Sequence, residues 1–72
     1  MSALDMQVSG DHYTKLKIQP IEYIQANDLD FFQGNVIKYI TRHKDKGQGV
    51  EDLRKVIHYA QLAIELQYGI KP

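Results

Sequence analysis

Four side chains near the middle of the sequence have the types and spacing to hold a phosphorylated ligand: Asn35, Lys38, Tyr39 and Arg42. On a helix they fall within roughly a 100° arc, so an amide, an ammonium, a phenol and a guanidinium share one face. Cations suit phosphate, a ring can stack on a base, and an amide can read a base or ribose edge. Lys38 and Arg42 are four positions apart, so both heads can reach one anionic group, and arginine can grip it with two parallel bonds. The plainer reading is a solvated face whose cations make weak ion pairs. Gly34 tilts the balance toward a ligand, because a glycine inside a helix costs about 1 kcal/mol relative to alanine and often marks a close approach. Val36, Ile37 and Ile40 occupy the other side, so the fold is expected to tolerate loss of Arg42.

Other residues could join this arc. Lys55 becomes a ligand candidate if it faces Lys38 and Arg42; otherwise pairing with Glu51 or Asp52 explains it. His12 and Tyr13 form a polar aromatic pair that either contacts a ligand or anchors the N-terminal arm. Lys44 and Lys46, flanking Asp45, resemble a basic flap or simply a solvated charge run. Catalytic motifs are harder to find. There is no G-x-x-x-x-G-K-[ST] loop, no H-x-x-x-H pair and no His/Asp/Glu cluster with metal-ligand spacing. The paired acidic motifs of all-helical nucleotide pyrophosphatases are missing too. No cofactor is implied, and magnesium enters only if the protein acts on nucleoside triphosphates.

The elements that position these residues are legible from their boundaries. Pro20 suits a first helical turn, and Asn27 can stop that helix. Asp30 and Gln33 make a capping-box pair ahead of a helix from Phe31 to His43. Lys44 to Gly49 is a loop, and a third helix runs from about Val50 to Tyr68, with Glu51 and Asp52 in its first turn and Gly69 at its end. Residues 1–10 read as a flexible N-terminal arm, and 11–72 as a single helical domain. Asp11 to Gln19 partly alternates polar and apolar residues, which suggests a short extended segment across the helices. The expected fold is all-α: an N-terminal extended arm, one short helix and an antiparallel helical hairpin, completed by homo-oligomerisation.

Size motivates the last clause. Ordering about sixty residues costs roughly 90 kcal/mol, which so small a core barely offsets, and the 72 residues include no cysteine to help. In the third helix Leu53, Val56, Ile57, Ala60, Ala63 and Ile64 form a stripe expected to face the hairpin partner. Tyr59, Leu62 and Leu66 lie on a flank expected to meet another subunit.

Nine basic and nine acidic residues cancel to a formal charge of zero, which disfavours duplex DNA as a partner. No apolar run approaches the ~20 residues that span a bilayer, and no signal-peptide pattern opens the chain, so a cytoplasmic protein with no membrane partner is expected.

Taken in order, His12-Tyr13, Ile18-Gln19-Pro20-Ile21-Glu22-Tyr23-Ile24, Lys46-Gly47, Glu51-Asp52-Leu53-x-Lys55 and Tyr59 accompany a G-N-x-x-K-Y-x-x-R motif carried by Gly34, Asn35, Lys38, Tyr39 and Arg42. Over about residues 11 to 67 this string resembles the SaV-like family of phage and prophage proteins, which is of unknown function and often labelled nucleotide kinase. The resemblance implies a phage or prophage origin, residence in the host cytoplasm and nucleotide handling. The kinase label belongs to longer relatives carrying additional sequence. Two uses follow, with the basic pockets expected at or near subunit interfaces: capture of a nucleotide, including a cyclic dinucleotide host signal, or phosphoryl transfer as in a nucleoside monophosphate kinase. A different class of function is a phage factor that docks on a host protein without any ligand.

Overall fold

Pro20 opens the first of three helices in the computed structural model, which describes residues 2–8, 12–45 and 47–72. Helix α1 spans Pro20–Ala26, α2 Phe31–Arg42 and α3 Gly49–Tyr68. Among the described residues there is no strand. The stretch expected to be extended is instead a series of turns and bends over residues 12–18, with the Leu16 amide bonded to the Tyr13 carbonyl at 3.1 Å. An isolated short strand has no ladder partner here, so its backbone groups are better satisfied locally. Within the N-terminal arm, Ala3–Asp5 form a 3-10 turn capped by Ser2, and the Gln19 side chain donates to the Leu4 carbonyl.

Local chemistry explains each helix end. Gln19 and Glu22 make a capping box ahead of Pro20, and Asp30 and Gln33 make one ahead of α2, with bonds of 2.8 and 3.0 Å. Past α1, Asp28 takes a left-handed conformation at φ 52°, which aspartate tolerates better than most residues. The Leu29 amide then reaches back to the Ile24 carbonyl at 3.0 Å, a Schellman closure that turns the chain into α2. Helix α2 ends at Arg42, one residue short of the expected His43. Gly49 begins α3 because a Cβ there would stand 2.5 Å from the His43 carbonyl oxygen. Gly69, at φ 74°, ends α3.

Helix α2 packs against both α1 and α3. The rotation of α3 differs from the expected one. Its buried side is centred on Asp52 and Tyr59: Asp52 is 1% exposed, and Tyr59 stacks on Tyr39 with ring planes 11° apart and meets Phe31 edge-on at 5.8 Å. Ile57 and Ile64, expected to face α2, are 57% and 46% exposed. Relative to the expected stripe, α3 is turned roughly 80° toward Tyr59. The reason is chemical: an ion pair and a stacked ring pair are directional, whereas the aliphatic residues could pack on either neighbour. Gly34 is buried, and what comes close to it is Ile24 of α1, whose Cδ1 would lie 3.5 Å from an added Cβ. Among the described residues no hydrophobic side chain reaches full burial.

Candidate functional site

The centre of the site is the Tyr39 ring. Lys38 and Arg42 come from its own helix, and Lys55 reaches it from α3. The Lys38 and Lys55 ammonium nitrogens lie 5.1 and 4.9 Å from the ring centroid, and the Arg42 guanidinium carbon lies at 5.0 Å. A phenol face attracts each cation, but three cations around one ring also repel one another. Lys55 comes to the same Tyr39 ring as Lys38 and Arg42 and makes no ion pair with Glu51 or Asp52, although its charge is felt at Asp52. Tyr59, stacked behind Tyr39 at 6.1 Å, holds the ring in place.

One of the three charges is compensated. Arg42 Nε and Nη2 donate to the two Asp52 carboxylate oxygens at 3.1 and 2.8 Å. This bidentate pair holds the Asp52 carboxyl below the usual carboxylate range, first through the hydrogen bonds and then through the charge of Arg42. The same bonds raise the Arg42 pKa further above its already high value. Two expectations change accordingly. Arg42 is not a free anion receptor, since its fork is taken and chiefly the Nη1 donors remain for a ligand. Nor is it dispensable to the fold, because removing it strands a buried carboxylate. Sequence reasoning missed Asp52 as a core residue. The available signal was an acid in the first turn of α3, a short loop away from an arginine in the last turn of α2. Among the described residues, Lys38 and Lys55 have no carboxylate within ion-pair range.

On the other side of Lys38 lies a cleft of about 570 Å³ between the N-terminal segment, α1 and α2. Pro20, Ile21, Ile24 and Phe31 give it apolar walls, while Asn35, Lys38 and Tyr13 supply polar groups at its edge. Asn35 also donates to the Phe31 carbonyl at 2.8 Å, so one of its N–H groups is committed to its own helix. The Tyr13 hydroxyl is buried without a hydrogen-bond partner. Burial raises its pKa, and the nearby Arg42 charge opposes that rise. An unpaired buried hydroxyl costs about 1–3 kcal/mol, and the polar group beside this one is the Arg42 guanidinium. Asp30 also lines the cleft, but its oxygens accept from the Gln33 amide at 2.8 Å and the Gln67 side chain at 2.8 Å.

His12 takes the anchoring role. Its Nδ1 lies 2.9 Å from Asp45, whose other oxygen accepts from Lys15 at 3.2 Å. The α2–α3 loop is thereby tied to the N-terminal segment, which keeps Tyr13 against the cleft. A smaller hollow of about 210 Å³ among His12, Arg42, Asp45, Gln48 and Asp52 lies beside this clamp, and its two carboxylates suit it poorly to an anion. Lys46 lies outside the described residues. The structure thus brings Tyr13, Asn35, Lys38, Tyr39, Arg42 and Lys55 together and sets His12 apart as a support.

Among the described residues no group of three metal-ligating side chains assembles, and no helix is long and apolar enough to cross a membrane. No curated protein and no solved structure matches the chain. Residues 8–61 match the family described as "Protein of unknown function (DUF3310)". That span is well over half of the chain and contains every candidate residue, so the protein belongs to the DUF3310 family.

Proposed function

We propose that this protein binds a nucleoside phosphate or cyclic nucleotide, holding the base in the cleft walled by Ile21, Ile24 and Phe31 and the phosphate at Lys38 and Lys55. The observation that carries this reading is Lys38 itself. It lines an apolar cleft on one side and shares the Tyr39 ring with Lys55 on the other, and neither ammonium has a carboxylate partner among the described residues. An anion placed there relieves their mutual repulsion. Capture fits the site better than turnover. The carboxylates beside it, Asp30 and Asp52, are already engaged by hydrogen bonds and so are poorly placed to act as a base. The likeness of the Gly34-to-Arg42 string to SaV-like phage proteins supports the same ligand class. With a phage origin, it makes sequestration of a host nucleotide signal the biological use.

Calorimetric titration with mono-, di- and cyclic nucleotides tests the reading, paired with native mass spectrometry for any co-purifying nucleotide. One ligand class should bind well below millimolar, and Lys38→Ala should weaken it at least about tenfold, the lower end of one charge-assisted hydrogen bond. Thermal stability should be unchanged by that substitution. If every nucleotide binds more weakly than about 1 mM, some −4 kcal/mol, the reading is wrong. Formation of a nucleoside diphosphate from ATP and a monophosphate at about 1 per second or faster would replace capture with kinase chemistry.

A further inference from the structure

One flank of α3 carries Val50, Leu53, Ile57, Ala60 and Ile64, spaced three, four, three and four apart. That is the alternation of a coiled-coil seam, in which successive apolar residues stay on one line along the helix. Val50 is 64% exposed, and Ile57 and Ile64 are exposed as already described. Leu53 is partly covered, and among the described residues the other four positions of the line stand exposed.

The missing cover has a size. The folded chain exposes 5609 Å², whereas a monomer of 8.3 kDa is expected to expose roughly 4,600 Å². The surplus of about 1,000 Å² is close to the ~800 Å² that each partner loses in a standard interface. The radius of gyration, 13.6 Å, likewise exceeds the about 11 Å expected of a compact chain this long. Together with a protomer that fully buries no hydrophobic side chain among its described residues, these figures describe part of a core.

We infer that this seam is the contact between two copies of the chain, packed antiparallel about a two-fold axis near Ile57 and Ala60. Two features select a second copy in this orientation. A seam of one repeat is self-complementary, so Leu53 meets Ile64 and Ile57 meets Ala60 of the partner. Arg54 and Glu65 border the seam on the same edge. Antiparallel pairing brings the same edge of both helices together and so sets Arg54 of one copy near Glu65 of the other, twice by symmetry, while parallel pairing leaves these edges on opposite sides of the dimer. The seam lies on the far side of α3 from Lys55, so pairing leaves the Tyr39 cluster and the cleft open. This interface is different from the expected one through Leu62 and Leu66, and it does not depend on the ligand reading.

Sedimentation and cysteine cross-linking of the full chain decide the matter, since there is no native cysteine to interfere. Wild type should sediment as a dimer at micromolar concentration, or as a larger even-numbered assembly built from it. Ala60→Cys should form a disulfide-linked dimer on mild oxidation, and Leu66→Cys should not. Arg54→Glu and Glu65→Arg should each weaken association, by about tenfold for two modest ion pairs turned repulsive, and the double swap should restore it. Ile57→Ser should dissociate the dimer or unfold the chain. A folded wild-type monomer at tens of micromolar overturns the inference. So does cross-linking through position 66 in place of 60, or a double charge swap that fails to rescue.

Discussion

At the loop end of α2, Arg42 is forked onto the Asp52 carboxylate at 2.8 and 3.1 Å, with that carboxylate almost fully covered. One turn back, Lys38 stands 5.1 Å from the centre of the same tyrosine ring and borders an apolar cleft, with no carboxylate partner among the described residues. Both are cations on one helix face, and sequence alone treats them as a pair. The difference lies in what the neighbouring helix offers each. Asp52 arrives opposite Arg42 because a short loop brings the first turn of α3 back to the end of α2. Lys55, one turn later on α3, also reaches the Tyr39 ring and adds positive charge. The loop end therefore holds the hairpin together, while the cleft end keeps a charge available for a ligand.

That contrast can be broken most strongly at the loop end. Arg42→Ala leaves Asp52 covered and unpaired. With Arg42 itself one-fifth exposed, the loss should be about 2–3 kcal/mol, below the value for a fully buried pair. Thermal denaturation should show a fall of roughly 10–20 °C for a chain of this size. Lys38→Ala, the substitution that tests ligand binding, should leave the melting temperature where it is. If the two variants melt alike, the distinction between a locking cation and a binding cation fails.

Acid should weaken the loop end as well. The Arg42 hydrogen bonds hold the Asp52 carboxyl below its unfolded value, and the His12 hydrogen bond does the same for Asp45. A depressed carboxyl contributes stability at pH values above its unfolded pKa, near 4, and that contribution is lost as pH falls through the folded value. Stability should therefore be level through the neutral range and drop below about pH 4. Asp52→Asn should start lower and show a flatter acid limb. An unchanged acid limb in that variant would place the titrating groups elsewhere.

The smallest effect belongs to the cleft end. Gly34→Ala puts a methyl in ordinary contact with Ile24 at 3.5 Å, and alanine is the better helix former by about 1 kcal/mol. The variant should be slightly more stable than wild type, as read in urea denaturation. Because Gly34 lines the cleft, it should also bind ligand less well. Equal affinity would mean that the ligand does not approach this wall.

Sequence alone determined the elements and much of the polar cluster. Pro20, the Asp30–Gln33 box and Gly69 fix helix ends through hydrogen bonds made within a few residues, so their effect is local and readable. The grouping of Asn35, Lys38, Tyr39 and Arg42 follows from helical periodicity in the same way. Tertiary structure alone decided how α3 is rotated, and with it the partners of Arg42, the convergence of Lys55 on Tyr39 and the seam left bare at Ile57 and Ile64. A helix with apolar residues around more than half its circumference has several faces of similar burial energy. Hydrophobic burial is non-directional and cannot choose among them. The choice falls to the directional contacts, the Arg42–Asp52 fork and the Tyr39–Tyr59 stack, which exist only once two helices lie side by side.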